Sequence, residues 1–111
     1  MMFMIAFKAN NPETNEKSLA KIDEVLAALG PRTKGIFDNV WLLEARLNAP
    51  NIRDLLKNAV ETGDRVFVAR IAQNWAGMNM GGKPPFPEWL NERNFGTFGN
   101  APKKEDAPAS K

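Results

Sequence analysis

Residues 33–47 read TKGIFDNVWLLEARL, and the fold turns on how they are divided. Two short β-prone runs flank Asp38 and Asn39. Both of these residues tolerate positive φ, because a short polar side chain can bond its own backbone, so the pair suits a tight hairpin turn. The second run alternates: Trp41, Leu43, Ala45 and Leu47 share one face, and Val40, Leu42, Glu44 and Arg46 share the other. A hairpin here places two consecutive strands in the middle of the chain, and the flanking segments decide what they belong to.

Upstream lies NEKSLAKIDEVLAALG (15–30). Leu19, Ile22, Leu26 and Leu29 recur at spacings of three and four, with Val25 alongside, which makes one apolar helix stripe; Lys17, Lys21, Asp23 and Glu24 fall largely off it. Gly30 and Pro31 stop the helix, since Gly accepts the left-handed cap geometry and Pro cannot continue the turn. Before it, MFMIAFK (2–8) is short, largely apolar and free of Gly and Pro, which reads as a strand. Downstream, NAPNIRDLLKNAVETG (48–63) predicts a second helix. Asn48 is its N-cap, Pro50 sits in the first turn, Ile52, Leu55, Leu56, Ala59 and Val60 form its stripe, and Gly63 ends it. DRVFVARIA (64–72), rich in β-branched and aromatic residues, is the fourth strand.

Strand, helix, strand, strand, helix, strand is the split βαβ order of an α+β, ferredoxin-like sandwich. Right-handed crossovers then give a four-stranded antiparallel sheet in the order 4-1-3-2, with two helices on one face. Residues 1–95 form one domain, in which 73–95 is a glycine- and proline-rich post-strand segment with a helical turn over Pro87–Arg93. Residues 96–111 (Gly, Ala, Pro, Lys, Glu, Ser) bury too little to offset ordering entropy and read as a disordered tail.

The pattern also leaves a problem. The helices cover Phe3, Ile5, Phe7, Trp41 and Leu43, or the residues of opposite parity; in the first case Met2, Met4, Ala6, Val40 and Leu42 form a second apolar face where a wetted sheet should be polar. Two coverings are open. Trp75, Met78, Met80, Phe86, Trp89 and Leu90 fold back over their own subunit, or two subunits pack sheet to sheet about a two-fold axis. A homodimer is the expectation, with Met4, Leu42, Val68, Trp75 and Trp89 at its interface.

At 111 residues the chain can bury a core without staples. It contains no cysteine, histidine or tyrosine, which excludes disulfides, thiolate chemistry, imidazole bases and the usual zinc and iron–sulfur ligands. No cofactor or metal is expected. The apolar start, Met1 to Phe7, lacks a basic flank and a cleavage pattern, so it does not read as a secretory signal. No run approaches the ~20 apolar residues of a membrane helix, so a cytoplasmic protein without a membrane partner is expected. The net charge of +2 sets up no strong field for polyanions.

Several stretches together carry a family likeness: MIAFKANNP, NVWLLEARL, IRDLL, Asp64 at the start of strand four, then WAG and EWL. Over about residues 2–93 the chain resembles the SinR-like small proteins, which are similar to the CRISPR-associated adaptation subunit and to the VapD-type toxins. The resemblance implies the same sandwich and a homodimer assembled through the sheet and last strand. Relatives with reported nuclease activity carry a metal-binding Asp at the end of strand one, and here that position matches Lys8. A cation cannot help hold Mg²⁺, which takes hard oxygen ligands.

Candidate sites are few, and no catalytic residue is assigned. Lys8, Arg46, Arg65 and Arg70, with Arg32 and Lys34 beside them, are candidates for phosphate or nucleic-acid contact, since Arg pairs well with phosphate oxygens; a solvated surface is the plainer reading. Arg46 and Arg70 take adjacent outer-strand positions if the parity above holds. Asp38, Glu44, Asp54 and Asp64 lie near element ends, but their spacing converges on no metal pair, and turn or cap chemistry accounts for Asp38 and Asp64. The Gly-Gly-Lys of GGKPPFP (81–87) lacks the strand–loop–helix setting of a phosphate loop, and PPFP reads as a stiff linker. The expected function is a non-catalytic, homodimeric binding or scaffold protein related to the CRISPR-adaptation subunit, its ligand nucleic acid or a partner protein. The alternative is a toxin-type, weak metal-dependent ribonuclease.

Overall fold

Hydrogen bonding in the computed structural model sorts the chain into four antiparallel strands: β1 (Met2–Lys8), β2 (Arg32–Phe37), β3 (Val40–Glu44) and β4 (Arg65–Ile71). Residues 1–80 and 86–97 are described, the side chains of 34–36 and 86 excepted, so the readings of Lys34, of residues 81–85 and of 98–111 lie outside them. The strands lie in the order β2-β3-β1-β4, the expected order read from the other edge. Between them run α1 (Asn15–Leu29) and α2 (Ala49–Leu55), and α3 (Phe86–Asn91) follows β4.

Register sets the faces. Phe3 pairs with Leu43 and Ile5 with Trp41 across β1 and β3, and Ile5 pairs with Val68 across β1 and β4. Directly paired residues project to the same side. Against this side pack Leu19, Ile22 and Leu26 of α1, Ile52 of α2, and Leu56 and Ala59 just beyond it. Each such side chain contributes about 1.5–3 kcal/mol when fully withdrawn from water. Polar groups at the rim of this core are matched. Asp23 Oδ1 accepts from Trp41 Nε1 at 3.2 Å and from Arg32 Nε at 3.1 Å, and Asp23 Oδ2 accepts from Arg32 Nη2 at 2.7 Å. Arg32, read from sequence as a phosphate contact, thus ties the hairpin to α1.

Two local readings change. Gly30 does end α1, but with φ 160° it is extended, not left-handed. Its role is close approach: a Cβ there would run into the backbone carbonyl of Glu44, because the chain crosses directly beside β3. The second helix is shorter than its pattern, since the α-turns stop at Leu55 and Lys57–Ala59 continue as a 3₁₀ turn. With three residues per turn there, Ile52, Leu56 and Ala59 form a narrow buried stripe, and Leu55 falls outside it, 48% exposed. The N-cap falls where expected, with Asn48 Oδ1 accepting from Asn51 N at 2.9 Å. Gly63, however, does not end the helix. The helical turns finish at Ala59, Val60 is extended, and Gly63, at the left-handed φ of 89°, belongs to the turn that leads into β4.

The opposite face is closed over one half by the chain's own C-terminal segment. Met2 and Leu42 are buried with Leu90 and Phe95, and Met4, Ile71, Trp75, Met80 and Trp89 pack around them. Arg93 lies 4.8 Å above the Trp89 ring and 3.8 Å from Glu44 Oε1. Arg70, which pairs with Phe3 and so starts from the helix-covered side, fastens the end of this segment: its Nη2 donates to the carbonyls of Phe95 at 3.0 Å and Thr97 at 3.2 Å. No helix among the described residues is long and apolar enough to cross a membrane.

Candidate nucleic-acid interface

Among the described residues nothing closes the other half of that face, and one row of residues crosses all four strands there. Phe37 pairs with Val40, Val40 with Ala6, and Ala6 with Phe67. Val40 and Ala6 are partly buried, whereas Phe37 and Phe67, on the two edge strands, are each 60% exposed. Two residues further along, on the same side, Lys8 of β1 pairs with Arg65 of β4. Both cations are exposed, and neither forms an ion pair among the described residues. Like charges placed directly opposite each other repel. The arrangement therefore favours an anion between them.

This end of the sheet is held firmly. Asn39 Nδ2 donates to the Phe7 carbonyl at 3.2 Å and to Asn15 Oδ1 at 3.0 Å, and Phe7 N donates to the Asn39 carbonyl at 3.0 Å. The hairpin turn that follows Phe37 is thereby fastened to β1 and to the start of α1. On the other flank, Asp64 Oδ1 accepts from Asn10 N and Oδ2 from Glu61 N, both at 2.8 Å. That carboxylate joins the loop after β1 to the entry of β4, next to Gly63.

Asp64→Ala should therefore act on stability. It removes one acceptor from two backbone donors and should cost about 0.5–2 kcal/mol, in line with the loss of a helix cap. A urea unfolding midpoint that does not move would show that the two bonds contribute nothing.

The four candidate cations divide into two pairs at opposite ends of β1. Lys8 and Arg65 form the pair just described. Arg46 and Arg70 sit at the end near Met1 and do not occupy adjacent strand positions, because β3 stops at Glu44 and β1 runs between β3 and β4. Arg46 lines a cleft of about 470 Å³ shared with Glu44 and Met1, so the charges there are mixed. The Met1 amine donates to the Ala45 carbonyl at 3.0 Å, and burial pushes its pKa below the ordinary value. Arg70 is held by the Phe95 and Thr97 carbonyls, and burial lowers its pKa as well.

The carboxylates are dispersed. Asp54 pairs with Arg53 at 2.9 Å and Lys57 at 3.7 Å; the Arg53 hydrogen bond, ahead of the attraction of both cations, holds its pKa below the usual range. Asp38 is exposed at the hairpin turn and Glu44 faces Arg93. Among the described residues no three acidic side chains gather at one point.

Of the residues named for a dimer interface, Met4 and Leu42 lie under the C-terminal segment and Trp75 and Trp89 belong to that segment. All four join one apolar cluster, and of the four only Leu42 is buried. Val68 lies on the helix-covered face, paired with Ile5. Phe37 and Phe67 were not singled out by the sequence. The signal for Phe67 was its spacing of two from Arg65, which a strand apolar on both sides conceals.

These features define a class: a small α+β protein with an open four-stranded antiparallel sheet, one end of which bears exposed aromatics and cations. Compared with known proteins, the chain matches no family model and no curated protein.

Proposed function

We propose that this chain is a non-catalytic, ferredoxin-like binding protein whose ligand is nucleic acid, held through phosphates at the Lys8–Arg65 end of its sheet. The strand order and the packing of α1 and α2 on one face support the ferredoxin-like assignment. The observation that carries the ligand is the pair of opposed, exposed cations beside an uncovered apolar row. Lysine and arginine at the strand ends suit phosphate oxygens and not a divalent cation, and the engagement of Asp64 by two backbone amides weighs against the ribonuclease alternative. The likeness to the CRISPR-adaptation subunit adds a homodimer, for which β4, an edge strand with no further strand beside it among the described residues, offers a pairing edge.

Lys8→Glu separates binding from folding. It replaces a repulsive cross-strand pair with an attractive one, so the unfolding midpoint should stay level or rise slightly. Binding of a labelled oligonucleotide should weaken, and its logarithmic salt dependence should flatten by about 0.7–0.9 for the lost phosphate contact. Arg46→Glu, at the far end, should leave binding unchanged. Absence of oligonucleotide binding by the wild-type chain at low salt would sink the reading. So would RNA turnover with Mg²⁺ that Asp64→Ala abolishes.

A further inference from the structure

We infer that the ligand is single-stranded, with unpaired bases stacking on Phe37 and Phe67 while the backbone passes Lys8 and Arg65. This inference rests on the nucleic-acid reading and makes it more specific. Phe37 and Phe67 stand at opposite ends of the row, three strand spacings or roughly 14 Å apart. That is well beyond the ~3.4 Å between neighbouring stacked nucleotides, so the two rings take bases that are not adjacent in the strand. Intervening nucleotides then cross the low floor made by Val40 and Ala6, whose short side chains leave room between the two rings. Each ring is 60% exposed, and every base offers a π-face, so stacking there is tolerant of sequence. A duplex keeps its bases paired inward and presents only phosphate and groove edges, leaving both rings without partners.

A second copy of the chain is a poorer fit. An aromatic side chain offers roughly 150–250 Å², so the two rings at 60% exposure present about 200–300 Å². A stable protein–protein interface takes about 800 Å² per partner. The C-terminal segment occupies the rest of this face, so the patch cannot widen toward Met2. A two-fold axis parallel to the strands would also set Lys8 and Arg65 against their own copies. A polyanion has the complementary charge and requires only a narrow strip. Asp38, exposed at the β2–β3 turn, repels phosphate on that side of Phe37.

The test uses the full-length chain, a fluorescein-labelled oligothymidylate, and the duplex that it forms with its complement. Wild type should prefer the single strand. Phe37→Ala and Phe67→Ala should each weaken single-strand binding about tenfold. Duplex binding and the salt slope should not change, because the phosphate contacts remain. Phe67→Trp should restore affinity. Both positions are exposed, so unfolding midpoints should match wild type and confirm that the variants fold. Equal binding of both forms, or alanine variants that bind the single strand as wild type does, would overturn the inference while Lys8→Glu still tests the broader reading. A change of sedimenting mass in the alanine variants would assign the row to a second copy and overturn it as well. No binding of either form removes both readings together.

Discussion

Trp41→Ala should lower the free energy of unfolding by about 3–5 kcal/mol, among the largest effects of any single truncation in this chain. Trp41 is fully buried and packs at the centre of the main core beside Phe3, Ile5 and Leu43. Removing the indole opens a cavity that rigid neighbours on β1 and α1 cannot fill. It also takes a donor from Asp23, although that carboxylate keeps two bonds from Arg32. Trp41→Phe keeps an aromatic ring and most of the volume but loses the Nε1 donor and part of the indole, so a smaller loss of about 1–3 kcal/mol is expected there. For a domain of this size each kcal/mol moves the thermal midpoint by about 4–8 °C, so the alanine variant should melt well over 10 °C below wild type. Urea unfolding with an unchanged slope reads both changes. A loss below 1 kcal/mol for Trp41→Ala would contradict the packing described.

Leu90→Ala should cost about 2–5 kcal/mol, which is large for a residue outside the six-element core. Leu90 lies on α3, is 1% exposed, and fills the space over Met2 and Leu42. If the C-terminal segment is an integral layer, its loss should also loosen the cover and raise the binding of a hydrophobic dye. The internal control is Phe67→Ala, on the same face of the sheet but at its open end. That change should stay within about 0.5 kcal/mol of wild type, as exposed substitutions do. Two variants of one face with such different costs would show that the segment divides it into a structural half and an accessible half. Equal, small costs for both would mean that α3 is a loose appendage.

Much of the fold was legible because the signals are local. The alternation of Trp41 and Leu43 against Val40 and Leu42 reports a half-buried strand without knowledge of its neighbours. Asn48 and Pro50 each act through their own backbone geometry and occupy the positions read for them, whereas Gly63 serves the turn before β4 instead of ending the helix. Leu55 misled because an apolar residue inside a helical stripe looks buried. The shift to a 3₁₀ turn that leaves it outside depends on how α2 meets the sheet. Gly30 misled differently, since its position as a helix stop was right and its reason was not. A glycine that prevents a clash with Glu44 cannot be told from one that takes a left-handed cap until β3 is in place.

The candidate site was less legible. Lys8 and Arg65 were named, but within a set of four that the structure divides between two ends of the sheet. Phe37 and Phe67 went unnamed, because an aromatic residue in a strand is ordinarily a core residue. Only the register across β2-β3-β1-β4 places them in one row, and only the extent of the C-terminal cover leaves that row open.

The amino-acid sequence by itself determined the main elements, their order and the Asn48 cap, while leaving open which side of each central strand turns toward the helices. Those follow from periodicity and backbone preference, which act over a few residues. Tertiary structure alone decided that Asp23, Arg32 and Trp41 meet and that half of the second face is closed from within. It also decided that two cations and two aromatic rings share the remainder. Each of these depends on strand register and on contacts between residues far apart in the chain, whose free energy is gained only when the whole sheet has assembled.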